Sequence, residues 1–230
     1  MNTNKNLEKV VKELEKAPVK NLQSEPWLIA MICKFGLVPE NREPYGMYNV
    51  SMVPSRDICA IYQQPDQLAA ALMVLSKIKI KSYLEVGTWT GGTFIFIREY
   101  LKRFGLVSSK CIDTFDYRSP QVKELTPEFE IATAYTVAGE WDLVHIDADH
   151  EYQAVKLDFN HLKNRAKIIM FHDINDATCP GPGQLWEEIT KDQEDFLEIT
   201  EHSNHEQIHG IGIFFNKWAN IKYSEDAPTS

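Results

Sequence analysis

The sequence predicts a doubly wound α/β fold, a mostly parallel sheet with helices on both faces. Three observations carry that prediction. Short apolar runs at 82–86, 107–112, 142–146, 167–171, 196–200 and 210–215 alternate with helical patterns at 91–104, 151–163 and 183–193. A glycine turn, "YLEVGTWTGG" at 83–92, joins the first run to the first of these helices. Two later runs, "WDLVHIDADHEY" at 141–152 and "AKIIMFHDIND" at 166–176, end in carboxylates and histidines. Open parallel sheets bind their ligands beyond such strand ends.

In chain order, "NKNLEKVVKELEK" at 4–16 spaces Leu7, Val10, Val11 and Leu14 as one helical stripe, and Pro18 lies past its end. This helix is expected to pack on the domain or on a second subunit. Residues 36–57, rich in Pro, Gly, Asn and Tyr, read as an ordered loop or flap. "PDQLAAALMVLSKIK" at 65–79 reads as a helix. The last two strands are joined by the polar stretch "EHSNHEQIHG" and no helix, so they should pair antiparallel at one edge. The expected organisation is an N-terminal helical cap at 1–60, a ligand-binding domain at 61–220 and a tail at 221–230.

The formal charge of −9 argues against a duplex nucleic-acid partner, which needs a clustered basic surface. Cys33, Cys59, Cys111 and Cys179 form no CxxC, so reduced thiols and a cytoplasmic setting are expected. The opening residues lack the apolar core of a signal peptide. The richest apolar run, "AAALMVL" at 69–75, is far short of the roughly 20 residues of a membrane span.

In the turn, Gly87 ends the strand where a side chain would block a ligand, and Gly91 and Gly92 let the next helix start close to it. The spacing is G-x-x-x-G-G, which is not the dinucleotide fingerprint. The next strand ends "CIDTFD", and Asp113 can accept both hydroxyls of a ribose. Together these features suggest an adenosine-containing ligand.

"LEVGTWTGGT" resembles the first motif of class I S-adenosylmethionine-dependent methyltransferases, nearest the branch of macrocin O-methyltransferase and the cephalosporin-hydroxylase-like proteins. That branch has a Q-x-P helix start upstream, and "YQQPDQL" at 62–68 occupies the place. The resemblance covers about 62–190. It implies a Rossmann-like, seven-stranded sheet with an antiparallel edge strand. It also implies S-adenosylmethionine on Glu85, Gly87, Thr88, Gly91, Gly92, Thr93 and Asp113, with Glu85 organising the methionine end.

Asp147, Asp149 and His150 end one strand, and His172 and Asp173 end the next. Five ionisable groups at adjacent strand ends are costly unless solvated, paired or bound to a cation. Carboxylates with imidazole suit magnesium or manganese. Carried over from the family by position, the ion's ligands are Asp147, His172 and Asp173; many relatives have Glu or Asp where His172 stands. A cation beside an aliphatic hydroxyl lowers its pKa, and His150, or alternatively Asp149, is the expected base. His145, inside its strand, reads as a core or supporting histidine. His161 lies on a predicted helix; His202, His205 and His209 sit in the late edge connection, where their spacing could suit a metal but loop histidines are more often solvated. "DATCPGPGQLWEEI" at 176–189 reads as a proline-glycine loop whose Trp186 could wall the acceptor pocket.

The expected activity is a metal-assisted O-methyltransferase acting on a sugar or glycan hydroxyl. The alternatives are a catechol-type O-methyltransferase and a non-catalytic partner of the same fold. Small-molecule or glycan acceptors are expected as partners, with no nucleic acid and no membrane.

Overall fold

The computed structural model describes residues 3–36, 59–201 and 209–222. The predicted flap, with Tyr45, Met47, Tyr48, Met52 and Arg56, falls outside them except for Gly36, as do His202 and His205.

Seven strands form one sheet in the order β3-β2-β1-β4-β5-β7-β6. They are β1 (Ser82–Val86), β2 (Ser108–Asp113), β3 (Phe129–Ile131), β4 (Trp141–Ile146), β5 (Ala166–His172), β6 (Phe196–Ile199) and β7 (Ile211–Phe215). β1 to β5 run parallel, whereas β7 is antiparallel to both its neighbours, β5 and β6. The antiparallel strand therefore lies one place in from the edge that β6 closes. β3 is three residues long and two of them are exposed, so it has no apolar run to announce it. β5, "AKIIMFH", is buried at every position but Lys167, as expected of a strand covered on both faces.

Eight helices are described: α1 (Thr3–Lys16), α2 (Val19–Leu22), α3 (Glu25–Phe35), α4 (Pro65–Leu75), α5 (Gly92–Lys102), α6 (Pro120–Leu125), α7 (Tyr152–Leu162) and α8 (Pro180–Thr190). The stripe predicted on α1 is buried at Leu7, Val10 and Leu14, each contributing about 1.5–3 kcal/mol of apolar burial. These residues share one core cluster with Leu68 and Leu72 of α4 and Phe94 and Ile97 of α5. None of the described helices is long and apolar enough to cross a membrane.

One expectation is corrected here. The segment read as an irregular proline-glycine loop begins α8, whose first four residues are Pro180, Gly181, Pro182 and Gly183. The first four N–H groups of a helix have no intrahelical acceptor, so prolines there forfeit nothing. The glycines answer to packing. A Cβ on Gly181 would stand 2.1 Å from the His150 carbonyl oxygen, and one on Gly183 would stand 2.8 Å from that of Ile174.

The chain leaves β1 toward β2 and β3, then returns to β4 on the other side of β1. The switch point, beyond the carboxyl ends of β1 and β4, is where the functional cleft opens.

Candidate active site

A cleft of about 1060 Å³ runs along the carboxyl edge of the sheet. Small-molecule sites span about 300–1000 Å³, so it has room for a nucleoside and an acceptor side by side. All the predicted site residues line it except Gly91, which turns toward Val122.

The glycine turn is held by its neighbours. Gly87 adopts φ +90°, and a Cβ there would stand 2.0 Å from the Asp147 carbonyl oxygen. A Cβ on Gly92 would meet the Ala60 carbonyl oxygen at 2.1 Å. Gly91, in the left-handed region, caps α5. Gly87 thus has a second reason to be glycine beside the expected one: the chain just past β4 runs too close for any side chain. The Thr88 hydroxyl donates to the Ile112 carbonyl at 3.1 Å, tying the turn to β2. Asp113 accepts from the Trp89 N–H at 2.7 Å. Trp89 itself sits at φ +44°, rare for a bulky residue. Its ring lies 4.3 Å from that of Tyr62, and both line the cleft.

Glu85 is 1% exposed. Its Oε2 accepts from the Tyr83 hydroxyl at 2.7 Å and lies 3.2 Å from His145 Nδ1. Burial outweighs those contacts and raises its pKa. Its Oε1 is buried without a partner. A buried carboxylate oxygen lacking a donor is costly, and the ammonium of a bound amino-acid moiety would satisfy it. The cleft thus fits S-adenosylmethionine on two counts, its volume and this unpaired acceptor. His145 is wholly buried against Glu85, in the supporting role predicted for it.

Asp147, after β4, accepts from the Gln63 amide at 2.6 Å, while Gln63 Oε1 accepts from the Thr93 hydroxyl at 2.6 Å. The Gln-x-Pro segment therefore bridges the glycine-turn helix to the acidic strand end. Around Asp147 the ionisable groups converge. His172 Nδ1 lies 3.2 Å from Asp147 Oδ1 and 3.2 Å from Asp173 Oδ2. His150 Nε2 lies 3.0 Å from Asp173 Oδ2 and 3.8 Å from Asp147 Oδ1. Asp173 sits at φ +59°, a strained conformation that presents its carboxylate at the end of β5.

The electrostatics follow from these distances. Burial works to raise Asp147 and Asp173, but the charge of His172 and the histidine hydrogen bonds outweigh it and hold both well below the usual carboxylate range. Hydrogen bonds to Asp147 and Asp173 raise the His150 imidazole to about 10 against its partial burial. Burial pulls His172 down, yet the two aspartates push it well up. Asp149, exposed, accepts from the Glu151 N–H at 2.9 Å just before α7.

Two further groups reach the cluster. His209 Nδ1 lies 3.0 Å from Asp173 Oδ1 and 2.8 Å from Asp176 Oδ2. Cys179 offers its sulfur within 4.8 Å of donor atoms of His150 and Asp173. His209 was read as a solvated loop residue. Its place follows from register: β7 runs antiparallel to β5 with Ile211 opposite His172, so Gly210 falls level with Asp173 and His209, one residue further, reaches the Asp173 carboxylate. The signal that could have found it was the antiparallel pairing, which the sequence already suggested. Trp186 is corrected in the other direction. It is buried against Phe171 and Phe196, donates to Glu198 at 2.7 Å, and does not line the cleft.

Residues 84–174 match the family model described as a methyltransferase domain. No curated protein matches the chain. Among solved structures, a putative RNA methyltransferase from Pyrococcus horikoshii is similar at 10% identity, over 83% of this chain and 95% of that one, with a TM-score of 0.50. A putative O-methyltransferase from Klebsiella pneumoniae is 16% identical over 78% and 88% of the two chains, TM-score 0.47. An O-methyltransferase from Bacillus cereus, in complex with SAH, is 15% identical over 65% and 78%, TM-score 0.45. The matched segment spans β1 to just past β5, so the part of the chain whose strand ends build the cleft is similar to a methyltransferase domain.

Proposed function

We propose that the protein is a divalent-metal-assisted O-methyltransferase acting on a hydroxyl of a sugar or glycan, close to the macrocin O-methyltransferase branch. The observation that carries this reading is the convergence of Asp147 and Asp173 with the imidazoles of His150 and His172 beside the cofactor cleft. Two carboxylates at adjacent strand ends, Asp173 buried and Asp147 partly so, suit a cation.

Asp147 and Asp173 would hold the ion, with His172 beside them, and Gln63 orients Asp147. A bound divalent cation supplies positive charge that lowers the pKa of a nearby hydroxyl. Glu85 and Asp113 receive the polar ends of S-adenosylmethionine, and Trp89 and Tyr62 give the cleft a flat apolar wall. Methyl transfer breaks the sulfonium C–S bond, forms the C–O bond and leaves a neutral thioether, while the hydroxyl proton passes to a base. We assign that base to His150, with Asp149 as the alternative. His150, paired as it is with two aspartates, takes up a proton only after their charge is otherwise balanced.

The aromatic pair also favours a second reading, a catechol-type methyltransferase, because a flat ring stacks there as readily as a sugar face. Transfer of labelled methyl to a panel of sugars, glycosides and catechols, with and without chelator, tests both. Label on a sugar hydroxyl that chelator abolishes supports the proposal. Label on catechols alone selects the second reading, and full turnover in exhaustive chelator removes the metal from it.

A further inference from the structure

We propose that the ion site is a nitrogen-rich one, completed by His209, and that it selects a late first-row transition ion such as zinc or cobalt over magnesium. This rests on the metal-assisted reading above and goes beyond the three ligands assigned there.

The donor inventory is the first ground. Two imidazoles, His172 and His209, meet on the Asp173 carboxylate, and His172 also reaches Asp147. Imidazole suits zinc, cobalt and nickel, while magnesium takes oxygen ligands in a near-ideal octahedron and gives up its water reluctantly. Cys179, with its sulfur within 4.8 Å of donor atoms of His150 and Asp173, adds a soft atom that magnesium does not use.

Spacing is the second. Bonds of about 2.0–2.1 Å put neighbouring donors about 2.9–3.4 Å apart around one ion. His172 to Asp147, His172 to Asp173 and His209 to Asp173 measure 3.2, 3.2 and 3.0 Å. Ligating atoms of His172, Asp173 and His209 all lie within 4.8 Å of one another.

Preorganisation is the third. The backbone around His209 is pinned: its carbonyl accepts from the Asn175 N–H at 3.0 Å, and the Gly210 N–H donates to Gln67 at 3.1 Å. The His172 and His209 rings lie 5.6 Å apart and nearly parallel. The Nδ1 atom of each ring faces Asp173, so it is this nitrogen that would reach the ion.

The test uses the full chain stripped with chelator, titrated with cobalt, zinc and magnesium by calorimetry and, for cobalt, by its visible absorption. Wild type should bind cobalt and zinc at least 100-fold more tightly than magnesium. His209→Ala should weaken cobalt binding roughly 10–100-fold and change the cobalt spectrum, with magnesium affinity little altered. His209→Asp, which restores a ligand but as oxygen, should narrow the preference and guards against a variant that misfolds; circular dichroism checks both. Equal affinity for magnesium and cobalt, or an unchanged cobalt spectrum in a folded His209→Ala protein, overturns the proposal while leaving the metal-assisted reading intact. A wild-type protein that binds none of the three ions overturns both, and the cluster is then a set of histidinium–carboxylate pairs.

Discussion

Gln63 is fully buried, and its amide has a role at each end: the NH₂ group donates to Asp147 and the oxygen accepts from Thr93. Replacing it with Leu leaves both partners unpaired and frees Asp147 to rotate. Cation affinity should fall about 10–100-fold, as when a ligand loses its orienting partner. Calorimetry with cobalt decides it; an unchanged affinity would mean that Asp147 is positioned by the histidines alone. Glu85 makes a different prediction, because its burial is costly and its Oε1 is unpaired. Glu85→Gln removes a buried charge, so the melting temperature should hold or rise. S-adenosylmethionine affinity should drop about 10- to 100-fold, the scale of one charge-assisted hydrogen bond. A variant that loses stability and keeps its affinity would show Glu85 to be structural. The cluster also sets a pH dependence. His150 is raised to about 10, so its pairing stabilises the fold fully below the unfolded value of about 6.5 and is lost as pH climbs toward 10. Asp147 and Asp173 are depressed, so their contribution is present above about 3.9 and is lost as pH falls below it. In chelator the urea midpoint should therefore decline from neutral to alkaline pH, and His150→Asn should flatten that limb. The effect is reduced by solvent, because the His150 side chain is 42% exposed.

At the scale of elements, what was legible was what a single strand or helix declares by its own pattern. Alternating apolar runs located six strands, and their ends placed Asp147, Asp149, His150, His172 and Asp173 at one edge of the sheet. What was not legible depended on a neighbour. Nothing in "VGTWTGG" says that the Gly87 position is filled by the Asp147 carbonyl, since that requires the β1–β4 register. Nothing in "PGPG" distinguishes a loop from a helix start tucked against His150. Trp186 reads as a pocket wall until Gly212, where a Cβ would stand 2.7 Å from its ring, shows how tightly β7 covers it. Gly87→Ala therefore tests an element junction rather than a ligand contact. With φ at +90° and backbone 2.0 Å from the new Cβ, the variant should lose more than the roughly 1–3 kcal/mol of ordinary overpacking, with or without cofactor. Denaturant unfolding of the cofactor-free protein measures this directly; wild-type stability would return Gly87 to a purely ligand-facing role.

At the scale of the molecule, the N-terminal helices decide how many folding units there are. A cap at 1–60 set on a domain at 61–220 would suggest two separable bodies. The packing instead joins them. Leu7, Val10, Leu14, Leu22 and Leu28 lie in the same core cluster as Leu72, Phe94 and Tyr100. The Tyr100 hydroxyl donates to the Leu22 carbonyl at 2.9 Å from a fully buried ring, and Arg103 donates to the Leu14 carbonyl at 2.8 Å. α5, which starts at the glycine turn, thus shares its core with α1 to α3. Removing residues 1–23 would strand the Tyr100 hydroxyl and take away several buried side chains worth about 1.5–3 kcal/mol each. That sum reaches the 5–15 kcal/mol by which domains are stable. The full chain should melt in one cooperative transition, with near- and far-ultraviolet circular dichroism coincident. The chain lacking residues 1–23 should lose the cofactor site together with the fold. A truncated protein that melts cooperatively and binds S-adenosylmethionine with wild-type affinity would show that the helices are an appendage, and that the glycine turn keeps its shape without them.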